Sequence, residues 1–340
     1  MSESSRRYIE RGNEQVSESN PNFLHAMILN GTGSGKDVDT ATVNQWSGEH
    51  GALWVHIDVA DSASADWLAR QNDLPAAAAE ALLAGETRPR STFSEHGLLI
   101  VLRGVNTNPG ADAEDMVSVR VWIDANRIIT SHRRKLLSIQ DVRDSLASGE
   151  GPTSPGDFLG ALVERLADRI GDFVDSIEDR MDAAEEEIAL GRSLGFRQRL
   201  SALRRQIAHV RRFLAPQRDA LDRLNRQTIA WLSEPNAQSL RQEADRITRY
   251  LEDLELAKER AIVLQEELLS QIAQEQNARM YVLSVVAAIF LPLTFVTGLL
   301  GMNVGGLPGL ESQLGFVWSL VIMVVAAVCL VFFFRWKKWF

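Results

Sequence analysis

YVLSVVAAIFLPLTFVTGLL (residues 281–300), GMNVGGLPGLESQL (301–314) and GFVWSLVIMVVAAVCLVFFF (315–334) decide the architecture. The first and third stretches are free of charge. Each supplies the roughly 20 apolar residues that cross a hydrocarbon core about 30 Å thick. The segment between them is rich in glycine and contains Pro308, residues that suit a loop and fit poorly into a continuous helix. Two membrane helices joined by a short loop are therefore expected.

The flanks orient this hairpin. Arg335, Lys337 and Lys338 follow the second span together with Trp336 and Trp339, and Arg279 precedes the first. Cations favour the cytoplasmic side and tryptophans the interface, so both termini are expected in the cytoplasm and the loop outside. The start, MSESSRRYIERG, lacks the apolar core of a secretory signal, which agrees with a cytoplasmic amino-terminal body.

Overall composition, 45% hydrophobic and 24% charged, hides this division. Residues 281–340 hold Glu311, Arg335, Lys337 and Lys338 as their charged groups, a net of +2; the whole chain carries −9, so residues 1–280 carry −11. A body this acidic repels phosphate backbones and is not expected to bind nucleic acid. The single cysteine, Cys329, excludes an intramolecular disulfide.

Outward from the spans, the amino-terminal part is expected to be an α+β domain, a mixed sheet with helices on it. Runs 24–29, 53–58, 98–106, 116–123 and 127–132 have β character, and 63–72 and 74–84 look helical. From Asp157 the apolar period changes: Leu162, Leu166, Ile170, Phe173, Ile177, Met181 and Ile188 recur at helical spacing. After an interruption at 191–195 a second helix carries Leu200, Leu203, Ile207, Val210, Leu214 and Leu221, with a kink expected at Pro216. Glu234-Pro235-Asn236 reads as the next break. The expected organisation is an α/β domain over 1–152, a helical hairpin over 153–235, a stalk over 236–280, spans over 281–300 and 315–334 flanking the loop 301–314, and a basic tail over 335–340.

The stalk and first span read as one rod from about residue 238 to 300, on the order of 90 Å long. Steps of three and four from Asn277 give Met280, Ser284, Ala287, Leu291, Thr294 and Gly298, small, polar or flexible residues suited to a wet lumen. Val285, Val286, Ile289, Leu293, Val296 and Leu300 lie on other faces and suit lipid or another helix. Dry packing of small residues between helices is the alternative. Backward, the row meets Glu266, Glu259 and Glu252, which would form acidic layers below a pore, or else plain solvated positions. Two spans cannot enclose a lumen, so a channel needs a ring of chains.

Pro292-Leu293-Thr294-Phe295, then Gly298 and Gly301-Met302-Asn303 between two carboxy-terminal spans, resemble the signature of the CorA family of divalent-cation transporters. The order of parts is similar over essentially the whole chain. Leu300 before the Gly-Met-Asn, Val304-Gly305-Gly306-Leu307-Pro308-Gly309 after it, Glu86-Thr87-Arg88-Pro89-Arg90 and Leu102-Arg103-Gly104-Val105-Asn106 resemble the ZntB-type branch rather than the magnesium type. The resemblance implies a homopentameric funnel in the inner membrane that moves zinc, with coupling to protons. Magnesium, cobalt or nickel transport is the alternative, and a membrane-tethered metal sensor without flux is a reading of another class.

On this reading, Asn303 side chains with the carbonyls of Gly301 and Met302 would hydrogen-bond the ion's hydration water, because hard divalent ions prefer oxygen and shed water reluctantly. Glu311, the one acid outside, would concentrate cations. Zinc itself prefers nitrogen and sulfur, yet no histidine follows His209 and Cys329 lies on the second span, so passage with water or through weak oxygen contacts is expected. The spans contain no Asp, Glu, His or Lys, so any proton coupling must use Glu311, Glu266 or the hydrated ion.

No nucleophile–base arrangement or cofactor motif is evident, and an enzyme is not expected. Gly31-Thr32-Gly33-Ser34-Gly35-Lys36 departs from a phosphate loop at Asn30 and Asp37 and reads as a turn. His56 and Asp58, two apart on a strand, share a face and are either metal ligands or structural groups.

Overall fold

The computed structural model describes residues 23–71, 73–85, 87–190, 195–302 and 314–336. It divides into two units, Met1–Leu264 and Gln265–Phe340. In the first, seven strands are found among the described residues: β1 (His25–Leu29), β2 (Gly35–Asp37), β3 (Ala52–Asp58), β4 (Arg90–Phe93), β5 (Leu98–Gly104), β6 (Val117–Ile123) and β7 (Arg127–His132). They form one sheet in the order β2-β1-β3-β7-β6-β5-β4, in which β3 and β7 run parallel and every other neighbouring pair antiparallel. The sheet is mixed, as expected, and helices cover it.

Strand periodicity assigns the faces. Leu53, Val55 and Ile57 of β3 pack with Trp67 and Leu68 of α2 (Ser62–Ala69) and with Ala78 and Leu82 of α3 (Ala76–Leu83). Between them, Trp54 points to the other face and meets Phe158 of α5 (Pro155–Ala189) with ring centroids 4.9 Å apart. Its indole N–H donates to Thr130 Oγ1 at 2.9 Å, so burial leaves no orphan donor. The short helix α1 (Thr40–Gln45), helix α4 (Leu137–Ser148) and strands β2 and β4 had no counterpart in the sequence reading.

The glycine-rich segment after β1 is a turn between β1 and β2. Asn30 Oδ1 accepts the backbone N–H of Thr32 at 2.9 Å and of Ser34 at 3.1 Å. Gly33 has φ 96°, and a Cβ there would stand 2.8 Å from the Gly149 carbonyl. A strand follows where a phosphate loop requires a helix, which removes the nucleotide reading.

Helix α5 starts at Ser154, whose Oγ accepts the Asp157 N–H at 3.1 Å, followed by Pro155, whose missing N–H costs nothing in a first turn. Helix α6 (Phe196–Asn225) continues through Pro216 as one helix. The break expected at Glu234-Pro235-Asn236 is instead the first turn of α7 (Glu234–Leu300), where a proline is again tolerated. Within the first unit, Arg246 of α7 reaches Asp168 of α5 at 2.8 Å, and Arg211 of α6 donates to the Leu251 carbonyl of α7 at 3.0 Å.

The second unit contains the rest of α7 and helix α8 (Gly315–Trp336), and both helices are long and apolar enough to cross a membrane. Over residues 281–300 of α7 the half-covered residues are Val285, Ala288, Ile289, Pro292, Leu293, Val296 and Leu300. On α8 the covered row is Gly315, Ser319, Met323, Ala326, Ala327, Leu330 and Phe334. Each row has helical period, the pattern of two helices that share one seam.

Candidate cation path

The site is built on one helix. Proline is tolerated within α7 at Pro292 because a membrane helix can re-satisfy the freed carbonyl locally, and Pro292 lies in the seam rather than on the proposed lumen row. At 100° per residue that row, Asn277, Met280, Ser284, Ala287, Leu291, Thr294 and Gly298, lies nearly opposite the seam. All of these residues are exposed; Met280 retains 64% of its surface and Leu291 76%. A Cβ added at Gly298 would meet nothing within 4 Å. Small residues on this row are therefore not there to let α8 approach, and dry packing within one chain is removed as their explanation. Val286, expected to face lipid or another helix, is exposed as well.

Polar groups on the helix are partly committed. Ser284 Oγ donates to the Met280 carbonyl at 2.8 Å and Thr297 Oγ1 to the Thr294 carbonyl at 3.0 Å, which satisfies hydroxyls in an apolar setting. At the end of α7, Gly301 N donates to the Thr297 carbonyl at 2.9 Å, and a Cβ on Gly301 would stand 3.0 Å from that same oxygen. Met302 follows with its N–H 3.5 Å from the Leu299 carbonyl. Asn303 and Glu311, and Lys337 and Lys338 of the basic tail, lie outside the described residues.

Glu252, Glu259 and Glu266 are exposed and have no ion-pair partner among the described residues. Neighbouring acids are different: Glu255 bonds Lys258 at 2.8 Å, and Asp182 and Glu185 are held by Arg260. The three unpaired carboxylates thus keep their charge available to solvent. Cys329 is exposed on α8, away from the row. No group of three His, Cys, Asp or Glu side chains able to hold a metal occurs among the described residues. The residues present offer oxygen and water contacts rather than a dry cage.

His56 and Asp58 do share a face of β3, but they make no common site. Asp58 Oδ1 accepts the Ala60 N–H at 2.9 Å. The fully buried His56 has Nδ1 2.8 Å from Thr130 Oγ1 and Nε2 3.0 Å from His132 Nδ1, and it stacks on His25. Burial, then repulsion from His132 and His25, holds its pKa well below the usual 6.5. His132 is lowered by burial too. An unfolded chain takes up a proton below about pH 6.5 that folded His56 does not, so stability is full above that pH and falls as pH drops, by at most about 1.4 kcal/mol per unit for one histidine. Urea unfolding of the purified protein is expected to show a lower midpoint at pH 5.5 than at 7.5, and His56→Gln to flatten the difference; identical midpoints in the parent would contradict this.

The match to known proteins covers the same parts. Residues 49–338 fit the family described as CorA-like Mg2+ transporter protein. The chain belongs to this family. Among CorA-like relatives, a protein named divalent cation transporter CmaX from Pseudomonas aeruginosa is 38% identical over 322 residues, 93% of this chain and 96% of the relative. One named zinc transport protein ZntB from Yersinia enterocolitica is 34% identical over 84% of this chain and 87% of its own length. The solved full-length CmaX structure superposes with a TM-score of 0.81 at 36% identity, covering 93% of this chain and 98% of that one. The CorA magnesium transporter of Methanocaldococcus jannaschii, at 18% identity, shares the fold with a TM-score of 0.79 over 93% of this chain and 99% of its own. The family is one of transporters, not enzymes, and the CorA-like architecture of an α+β domain, a long helix and two carboxy-terminal apolar helices is that of this chain.

Proposed function

We propose that the chain assembles as a homopentamer in the inner membrane and carries divalent cations, zinc foremost, along an axis lined by the exposed row of α7. One observation carries this reading: the polar and small residues of α7 face away from its seam with α8 and stand open to a partner or to water. A single chain cannot close a path around that row, and a closed ring of identical chains is the simplest assembly that does. The names of the relatives supply the cargo class, divalent cations for CmaX and zinc for ZntB. In this arrangement residues 1–152, 153–235 and 236–280 form the cytoplasmic domain, hairpin and stalk, 281–300 and 315–334 span the bilayer, 301–314 lies outside, and both termini are cytoplasmic.

The donor set then fixes how the ion travels. With oxygen groups on the row and no nitrogen or thiolate cage, the cation keeps hydration water, which Asn303 and the Gly301 and Met302 carbonyls hold at the mouth by hydrogen bonds. Glu311 outside, and Glu266, Glu259 and Glu252 inside, raise the local cation concentration. With no Asp, Glu, His or Lys inside the spans, proton coupling runs through those carboxylates or the hydrated ion. Zinc uptake into liposomes containing the purified protein and a zinc-sensing dye is expected to exceed that of empty liposomes. Zinc binding without uptake would overturn transport in favour of a tethered sensor.

A further inference from the structure

Segments 86–90 and 102–106, which the cation path does not use, meet at a cavity of about 480 Å³ in the first unit. Strand β5 brings Arg103, the approach to β4 brings Thr87 and Arg88, the chain after β7 brings Arg133 and Arg134, and α6 brings His209, Arg212 and Phe213. Arg103 is braced for presentation. Its Nη1 donates to the Met116 carbonyl at 2.7 Å, its Nη2 to the Thr87 carbonyl at 3.0 Å, and its guanidinium lies 3.9 Å from the centre of the Phe213 ring. Arg212 approaches the same ring at 5.6 Å.

Positive charge here exceeds what folding neutralises. Asp115 is the one carboxylate lining the cavity among the described residues, and Arg134 holds it at 2.6 Å; Glu86 lies outside the described residues. Arg88, Arg133 and Arg212 are exposed and have no ion pair among the described residues. Behind Gly85, whose carbonyl accepts Arg120 Nη2 at 2.8 Å, the fully buried Arg120 leaves Nε and Nη1 without hydrogen-bond partners. Burial and then the guanidinium charges of Arg103, Arg133 and Arg90 pull its pKa down to about 10. Keeping so many guanidiniums together at a distance from carboxylates is costly unless an anion completes the site.

We infer that this cavity binds a multiply charged oxyanion of the phosphate class, free or carried on a small molecule. The planar forks of Arg88, Arg133 and Arg212 match phosphate oxygens bidentately, and the space exceeds that of one phosphate group. The rest of the body is acidic, so this is a local positive site on a negative surface.

Calorimetric titration of the purified full-length protein at constant ionic strength tests this, with inorganic phosphate, ADP and chloride as probes. Saturable binding of phosphate or ADP, absent with chloride, is expected. The tighter of the two identifies a free or a carried phosphate. The exposed double variant R133Q/R212Q, and separately R88Q, should keep the parental unfolding temperature and weaken binding about tenfold or more. R197Q, on an exposed position about 22 Å along α6 from Arg212, should leave binding unchanged. No saturable binding of either phosphate probe, or equal weakening by R197Q, would overturn the proposal.

Discussion

Asn303→Ala is expected to abolish selective divalent-cation uptake while the oligomer still assembles. Within the span 281–300 the row on α7 offers small, apolar and hydroxyl side chains, and the Ser284 hydroxyl is already spent on the Met280 carbonyl. Past the end of α7, Asn303 supplies an amide whose oxygen can accept hydrogen bonds from the water around a divalent ion, and a ring of such amides can do so from several sides without stripping that water. Alanine removes the acceptor and adds no bulk, so the mouth stays open but loses the contacts that distinguish a hydrated divalent ion from any other solute. Uptake assayed in liposomes, beside the oligomer mass of the detergent-solubilised variant, separates loss of selectivity from loss of assembly. Parental uptake by the variant would remove Asn303 from the mouth.

Gly298→Phe should block the path from the other direction, by filling it. Gly298 is exposed on α7 and a Cβ there meets no atom of its own chain within 4 Å, so the substitution costs the single chain little and replaces a poor helix former by a better one. In a ring whose row faces the axis, one phenylalanine from every subunit arrives at a single level and dewets it. Uptake should fall about tenfold or more with the oligomer mass unchanged. Val328→Phe, at an exposed position of α8 away from the seam, should leave uptake as it is. Unimpaired uptake by Gly298→Phe would mean that the row does not line the path.

The parts of the fold governed by local pattern were legible in the sequence. Both apolar helices, the long α7, the hairpin helices α5 and α6 and five strands follow from period and composition, because burial against one neighbour imposes a period on each of them. Besides helix α4, of 12 residues, what escaped was short or depended on distant partners. Strand β2, Gly-Lys-Asp, has three residues and no apolar alternation, and β4 is an edge strand of four. Pro235 looked like a terminator and proved to be an initiator, since proline reads the same at either role until the first turn is placed.

Of the candidate site, the row on α7 was readable because one helix carries all of it. The histidine cluster was not. The parallel register of β3 on β7 sets His56 opposite Thr130 and Asp58 opposite His132, so the partner of His56 is His132 and not Asp58. Strand register is a property of two segments far apart in sequence, and neither one discloses it. The arginine cavity is a stronger case, drawing on residues from Gly85 to Phe213 that nothing in their spacing relates.

Uptake of zinc and of magnesium into liposomes holding the purified protein, each with and without an imposed pH gradient, tests the central claim most directly. The account predicts zinc flux well above magnesium flux, enhanced when protons are in excess on the side from which zinc enters. Magnesium flux indifferent to the pH gradient, with zinc left outside, would contradict it.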